Sequence, residues 1–242
     1  MDEELLKLKN PRPAQPRPLG RLHRLGWLIA RLIAAFLFLS TALVVVYRFV
    51  PVPVTLTMIF DPNGINKTWT PLSRIDRNMV DAAIAGEDGK FCQHNGFDQD
   101  AILKAWERNQ EGGRIRGGST ISQQTAKNVF LWQGGGYLRK GFEAWFTVLI
   151  EAIWGKRRIM EVYLNVAETG IGTFGAEAAA QRYYRHSAAH LTRVEAARIA
   201  AALPNPKKRA VVSATGFTRR HGNAIAARSN VVRNSDYDEC VY

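Results

Sequence analysis

The chain has 242 residues, of which 46% are hydrophobic and 22% charged, the composition of an ordinary globular protein with room for one substantial core. Its net charge of +12 at pH 7 is compatible with nucleic acid, an anionic membrane surface or an anionic substrate as partner. No zinc spacing, stacking-aromatic motif or helix-turn-helix pattern accompanies this charge, so we do not expect nucleic acid as the partner.

An apolar stretch near the N-terminus is the first predicted element. Residues 25–47 are apolar apart from Arg31, and at about 1.5 Å per residue they are long enough to cross a hydrocarbon core of about 30 Å. Lys and Arg outnumber acidic residues before this stretch, which predicts a cytoplasmic N-terminus and places everything after Arg48 outside the cytoplasm. A cleaved signal peptide is the alternative, but the run exceeds a typical signal-peptide core and no small-x-small cleavage site follows it. We therefore predict a cytoplasmic tail over 1–24, a single transmembrane helix over 25–48 and one domain over 49–242.

The domain after this helix is predicted to be mostly α-helical. Residues 54–58 alternate in polarity, which predicts one short strand that ends at the turn-forming run 61–64. From residue 76 onward the apolar spacing is helical, and Thr120-x-x-Gln123 and Thr192-x-x-Glu195 have the spacing of capping boxes. The predicted helices end at 87, begin after 98 and after 120, and span about 138–154, 156–164, 176–184, 192–204 and the region up to 233.

The two cysteines, Cys92 and Cys240, lie far apart in the chain and match no metal or redox motif. The sequence alone leaves their pairing open. We expect them not to form a bridge.

The acidic pair Glu87-Asp88 is the first candidate for chemistry. Acidic residues at a helix end are usually solvated surface charges, and that is the simpler interpretation of the pair alone. Phe91, Phe97 and Trp106 follow in the chain, however, and apolar surroundings raise the pKa of a carboxylate toward the range that is useful to a general base. The pair is therefore a candidate general base.

Residues 117–128 form a more specific pattern. Two glycines allow close backbone approach to a ligand, and the helix that follows directs its N–H groups at the turn. Hydroxyl donors and cations occur around this turn, at Ser119, Thr120, Lys127, Arg114 and Arg116. A capped amphipathic helix is the simpler interpretation, but this combination of donors and cations is suited to binding a diphosphate.

A third pattern is Arg139-Lys140-x-x-Glu143, in which the glutamate lies one helical turn beyond the basic pair. Its plainest interpretation is i, i+4 pairing of Arg139 with Glu143. The later segments 156–165 and 170–180 are interpreted as scaffold, because small residues at this spacing let helices pack closely. Within them, Glu161 is expected to brace a helix rather than to catalyse.

Five segments, beginning at residues 87, 117, 139, 156 and 170, occur in the order of the five motifs of the peptidoglycan glycosyltransferases, glycosyltransferase family 51, which the chain resembles over 87–184. The resemblance implies a lysozyme-like, mostly α fold with two lobes and a cleft that faces the membrane. It also implies an inverting enzyme that polymerises lipid II, a lipid-linked disaccharide-peptide, into β-1,4 glycan strands and releases undecaprenyl diphosphate. No Ser-x-x-Lys and no Lys-Thr-Gly occurs in the sequence, so we expect a monofunctional enzyme without transpeptidase activity.

By this resemblance, Glu87 and Glu143 match the two catalytic glutamates of the family. Gly135 departs from the family pattern, since many members carry an arginine four residues before the Arg-Lys pair, and one diphosphate contact is therefore unmatched. A divalent metal, Mg or Mn, is compatible with a diphosphate leaving group, although no ligand cluster in the sequence identifies a metal site. The implied substrate-binding residues are Asp88, Ser119, Gln123, Lys127, Arg139, Lys140 and Arg116.

The resemblance further implies a bacterial inner-membrane protein with a periplasmic catalytic domain, whose partners are lipid II, the growing glycan strand, the membrane and cell-division or wall-synthesis proteins.

Two other functions remain open at this point. A lysozyme-like lytic transglycosylase that cleaves finished peptidoglycan would share the fold and one catalytic glutamate, but would not need cations around a Gly-Gly turn. A membrane-anchored scaffold would bind glycan or division proteins without turnover, and the presence of both glutamates in their motifs argues against it.

Overall fold

The computed structural model describes residues 20–110 and 118–242. Arg114, Arg116 and Gly117 therefore lie outside the described residues, as does the side chain of Trp106. Ten helices occur in the described ranges, which confirms the mostly α fold. They are α1 (Arg21–Phe49), α2 (Leu56–Ile59), α3 (Arg77–Glu87), α4 (Gln99–Gln110), α5 (Ile121–Phe130), α6 (Gly136–Ile153), α7 (Gly155–Val166), α8 (Ala176–Tyr184), α9 (Arg193–Ala202) and α10 (Gly216–Asn234).

Three very short strands form the sheet of the described residues, in the order β1-β3-β2, where β1 is Asn66–Lys67, β2 is Glu168–Gly170 and β3 is Thr173–Phe174. The first pairs with the third in parallel, and the second and third are antiparallel. Gly172 makes the tight turn between β2 and β3 with φ +60°, and a Cβ there would lie 2.7 Å from the carbonyl oxygen of Asn63. The turn fixes the position of β2, whose first residue is Glu168.

Helix α1 contains the apolar stretch. Its segment His23–Phe49 has a mean hydropathy of 2.4 over its most apolar window and is long and apolar enough to cross a membrane. The contacts divide the chain into a unit over 1–41 and a unit over 42–242, so the last part of α1 belongs to the larger unit. There, Trp154 Nε1 donates a 2.7 Å hydrogen bond to Val44 O, and the Arg158 guanidinium donates to Tyr47 O and Val50 O.

Helix α7 lies at the centre of the larger unit, and most of its side chains from Ile159 to Val166 are buried. Helix α9 is rich in alanine, and its buried small side chains allow α3 and α10 to pack closely against it. Glu161 braces this core as expected, because its Oε1 accepts a 3.0 Å hydrogen bond from the backbone N–H of Leu72 and its Oε2 pairs with Arg158.

The helix starts that the capping spacing predicts are confirmed. Thr120 and Thr192 each accept a hydrogen bond from the N–H three residues later, and Gln123 and Glu195 complete both capping boxes. Asp98 also accepts from the backbone N–H of Ala101, at the start of α4.

The strand predicted for residues 54–58 is wrong. This region is the one-turn helix α2, which Thr55 caps by accepting a hydrogen bond from the N–H of Met58. Val54 and Leu56 are 40% and 38% exposed whereas Thr55 is buried, so the polar–apolar alternation of the sequence does not correspond to two faces of a strand. The cap at Thr55 and the burial of Met58 stabilise a helical turn here instead of a strand.

The expectation that the two cysteines are unpaired is also wrong. Cys92 and Cys240 form a disulfide across a sequence separation of 148 residues. The bridge joins the short 3₁₀ turn after α3, Phe91–Gln93, to the C-terminal turn Glu239–Val241. Helix α10 returns the chain to this place, and Arg77 then holds the tail through a bidentate ion pair with the buried carboxylate of Asp238.

Candidate active site

Glu87 is the last residue of α3, and its two carboxylate oxygens differ in their contacts with the described residues. Gln124 Nε2 donates a 2.9 Å hydrogen bond to Glu87 Oε2, while Oε1 is buried and accepts no hydrogen bond within the described residues. Burial raises the pKa of Glu87, although the hydrogen bond from Gln124 and the charges of Arg209 and Lys127 act in the opposite direction. A carboxylate with a free oxygen and a raised pKa is suited to accept a proton.

Gln124 holds this carboxylate in a defined orientation. The hydroxyl of Tyr163, which is fully buried, donates to Gln124 Oε1 at 3.3 Å, so the amide N–H group of Gln124 faces Glu87. Burial raises the pKa of Tyr163 well above its ordinary value, and the hydroxyl therefore keeps its proton as a donor. Neither residue was predicted from the sequence as part of the site, although Gln124 lies within the pattern 117–128 and Tyr163 within the segment 156–165.

Lys127 lies one helical turn beyond Gln124 on α5. Burial lowers the pKa of its ammonium group, and the carboxylates of Glu143 and Glu87 both act to raise it. Lys127 therefore interacts electrostatically with both predicted catalytic glutamates. The structure brings these three residues, which are far apart in the chain, into one charged site.

Glu143 lies in α6 with only 2% of its surface exposed. Its Oε2 accepts a 2.6 Å hydrogen bond from Arg139, and its Oε1 pairs with Lys140, which also donates to Ser119 Oγ at 3.2 Å. Arg139 retains a buried Nε–H without a hydrogen-bond partner among the described residues. Because both oxygens of Glu143 are occupied, this glutamate orients two cations, and it has no free oxygen to accept a proton.

Asp88 and Gln123, two of the predicted substrate-binding residues, both make hydrogen bonds at the start of α5. Asp88 is buried, and it accepts from the His94 ring at 2.9 Å and from the backbone N–H of Ile121 at 2.9 Å. Gln123 accepts from the backbone N–H of Thr120 at 3.1 Å. Both side chains thus fix the start of α5 and act on the site through the helix that carries Lys127.

Gly135 occupies a strained position before α6. Its φ is +90°, and a Cβ there would lie 2.8 Å from Trp132 Nε1 and 3.0 Å from Arg139 Cβ. The left-handed conformation and the lack of space both favour glycine. The conformation of the loop before the Arg-Lys pair therefore favours glycine at position 135, where many family members carry an arginine.

Two neighbouring cavities share part of their lining, and the smaller one is lined by Gln124 and Lys127 of the site. The smaller one, about 180 Å³, is lined by Gln124, Lys127, Asn128 and Tyr163. A larger groove of about 660 Å³ lies next to this cavity. The lining that both share is Gln133, Glu168, Pro204 and Pro206.

Within the part of the chain that the structure describes, no group of three or more His, Cys, Asp or Glu side chains is arranged to hold a metal ion. Glu143 and Asp88 already accept hydrogen bonds from protein groups at both oxygens, whereas Glu87 Oε1 accepts none within the described residues. One such carboxylate oxygen does not by itself make a protein site for Mg²⁺ or Mn²⁺, which takes several oxygen ligands.

The transglycosylase family model matches residues 55–233, a range that contains every described residue of this site. The chain belongs to the transglycosylase family. It is 50% identical over 216 residues to a biosynthetic peptidoglycan transglycosylase of Caulobacter vibrioides, covering 87% of this chain and 94% of the relative. Proteins of the same name from Rhodospirillum centenum and Pseudomonas fluorescens are 46% and 44% identical, each covering 88% of this chain and 94% of the relative. The five transglycosylase segments recognised in the sequence all fall within the matched range.

Proposed function

We propose that this protein polymerises lipid II into β-1,4 glycan strands and releases undecaprenyl diphosphate. Family membership and the relatives' name make it a peptidoglycan glycosyltransferase of cell-wall synthesis. The observation that carries the proposed chemistry is the free, buried Oε1 of Glu87 in a site that also holds Lys127 and the pair Arg139-Lys140. A base and several cations are what transfer from a glycosyl diphosphate requires.

In this mechanism Glu87 Oε1 accepts the proton of the 4-hydroxyl group of the incoming disaccharide. The hydroxyl oxygen attacks the anomeric carbon of the growing strand from the face opposite the diphosphate. The new C–O bond forms as the bond to the diphosphate breaks, so the configuration inverts and the electron pair leaves on the diphosphate. The raised pKa of Glu87 makes the carboxylate a stronger base, and Gln124 holds it in position.

The cations neutralise the charge that develops on the leaving diphosphate. Lys127, Arg139 and Lys140 supply that charge, and Glu143 keeps the last two in place. Ser119 adds a hydroxyl at the same edge, where it accepts from Lys140. We derive no step through a metal ion, and a divalent ion in the reaction would be carried by the substrate diphosphate.

We infer that the catalytic domain lies on the periplasmic side of the bacterial inner membrane. The apolar helix α1 supports a membrane anchor, and the excess of Lys and Arg before it favours a cytoplasmic N-terminus. The Cys92–Cys240 disulfide independently favours an oxidising compartment. A tag at Tyr242 should be cleaved by protease in spheroplasts while a tag at the N-terminus stays protected, and an accessible N-terminal tag would contradict this orientation.

The decisive experiment incubates the full-length protein with lipid II in detergent or proteoliposomes and separates the products by length. The proposal expects long glycan strands and one undecaprenyl diphosphate for each bond formed. A lytic transglycosylase would instead shorten finished peptidoglycan, and a scaffold would bind glycan without turnover. The cluster of cations around Glu143 favours synthesis, because cleavage of a neutral glycosidic bond releases no diphosphate.

A further inference from the structure

The larger groove beside the catalytic cavity is lined by residues that have no role in the proposed reaction. Its apolar wall is formed by Leu56 and Phe60 after the membrane helix and by Trp132 before α6. Phe60 is 75% exposed, and Trp132 is 41% exposed. The opposite wall is Glu168 with the loop 204–208. The groove shares part of its lining with the cavity at Gln124 and Lys127, so a substrate that occupies this cavity can extend into the groove.

Charges of both signs line this groove. Lys207 donates a 2.8 Å hydrogen bond to Asp61 Oδ2, and this contact lowers the pKa of Asp61 to about 2, so the pair is held together. Lys208 is exposed at the groove and has no ion-pair partner among the residues that the structure describes. One cation of the loop is therefore free to meet an anionic group.

Glu168 is the anion beside this loop, and its only ion-pair partner among the described residues is Lys207, which also pairs with Asp61. Its side chain is only 16% exposed, and its Oε1 is buried without a hydrogen-bond partner among the described residues. Lys207 Nζ lies 3.7 Å from this oxygen, too far for a hydrogen bond. Burial raises the pKa of Glu168, as expected for a carboxylate that lacks a full complement of donors.

The charge pattern discriminates between the parts of the proposed substrate. A neutral saccharide would leave Lys208 without a charged partner and would leave Glu168 with only the long ion pair to Lys207, which Asp61 shares. A diphosphate or an anionic phospholipid would pair with Lys208 but would place negative charge near the free oxygen of Glu168. A peptide carries ammonium and carboxylate groups along one chain, and its apolar side chains can pack on Phe60 and Trp132.

We propose that this groove binds the peptide part of the lipid-linked disaccharide-peptide, with Glu168 accepting a hydrogen bond from a peptide ammonium group and Lys208 pairing with a peptide carboxylate. The inference rests on the proposed function and adds to it a recognition site outside the reacting centre. Glu168 is then a specificity-determining residue and not a catalytic one.

The test compares polymerisation of two substrates by the full-length protein: lipid II with a free side-chain amine in its peptide, and the same lipid with that amine acetylated. Wild type should show about a tenfold higher kcat/KM for the free amine, which corresponds to about 1.4 kcal/mol. The difference should lie mainly in KM, because the contact is equally present in the ground state and the transition state. Glu168→Gln should abolish the preference and leave the rate with the acetylated substrate close to that of wild type.

Two matched controls separate this inference from a general effect of charge. Glu239→Gln removes a carboxylate that is exposed and does not line the groove, so the amine preference should persist. Lys208→Gln should leave the amine preference intact and instead remove sensitivity to amidation of a peptide carboxylate.

Equal use of both substrates by wild type would overturn the inference while leaving the proposed function standing, since both would be polymerised. Loss of all activity in Glu168→Gln with an unchanged melting temperature would also overturn it, because Glu168 would then act in the reaction itself. A rate that depends on Lys208 and anionic phospholipid but not on the peptide would assign the groove to lipid. Failure of wild type to polymerise any form of lipid II would instead refute the proposed function.

Discussion

Replacing Glu87 by Gln exchanges one carboxylate oxygen for an amide nitrogen and tests the proposed base directly. Gln124 donates to Glu87 Oε2, so the new side chain must turn its oxygen toward Gln124 and its NH₂ group toward the position of the free Oε1. The variant then presents a donor where the substrate hydroxyl needs an acceptor. We expect turnover to fall by about 10²–10⁴, and at about 1.36 kcal/mol per decade this is about 2.7–5.5 kcal/mol of transition-state stabilisation.

The same variant should keep its fold. The pKa of Glu87 is raised in the folded state, so the native protein binds this proton more tightly than the unfolded chain does. The resulting contribution to stability is present below the ordinary value of 4.5 and is lost as the pH rises through the raised pKa. At neutral pH the charged carboxylate therefore lowers the free energy of unfolding, and Glu87→Gln should leave the melting temperature unchanged or slightly higher.

The assay follows polymerisation of labelled lipid II across pH, together with thermal unfolding and substrate binding. Wild type should show an acidic limb in its rate profile that is absent from the residual activity of Glu87→Gln, and binding of lipid II should persist. Glu239→Gln, an exposed carboxylate, is the matched control. Retention of more than a tenth of wild-type turnover by Glu87→Gln, or persistence of the acidic limb in its residual activity, would refute the assignment of Glu87 as base.

Three further changes test the rest of the site. Glu143→Gln should weaken binding of the diphosphate-bearing donor and lower turnover, because the buried carboxylate no longer orients Arg139 and Lys140. A rate loss with unchanged binding in a donor titration would give Glu143 the role of base instead. Gly135→Arg should lower the melting temperature by the equivalent of about 1–2 kcal/mol and should not raise activity, because φ +90° and the close approach of Trp132 exclude a side chain; increased turnover at unchanged stability would contradict this. Reduction of the Cys92–Cys240 bridge, or its replacement by two serines, should reduce the free energy of unfolding by about 2–5 kcal/mol, because the bridge closes a long loop. Urea denaturation of the full-length protein in detergent measures this change. An unchanged midpoint would show that the tail is held by its other contacts alone.

Features that depend on neighbouring residues could be predicted from the sequence. The apolar helix follows from a continuous run of side chains, and the capping boxes at Thr120 and Thr192 follow from a three-residue spacing that closes within one turn. The order of the five segments was sufficient to predict a family that the comparisons then confirmed. Each of these patterns lies within a short stretch of chain, so it can be recognised without knowledge of how the chain packs.

The rotation of a helix against its neighbours is different, because it depends on the whole core. Gln123 and Gln124 are adjacent on α5, and spacing alone cannot say that the first caps the helix while the second reaches Glu87. Nor can it say that Asp88 is turned toward the backbone of Ile121. These choices are made when α5 packs against α6 and α7.

Contacts between distant parts of the chain were likewise decided by the tertiary structure. Cys92 meets Cys240 because α10 returns the C-terminus to the turn after α3, and no local pattern encodes that return. Glu168 lines the groove beside the loop 204–208 because the turn at Gly172 fixes the position of β2. The residue types that can perform the chemistry are a property of the sequence. Which of their atoms remain free to perform it depends on how each side chain is paired after folding, and that pairing exists only in three dimensions.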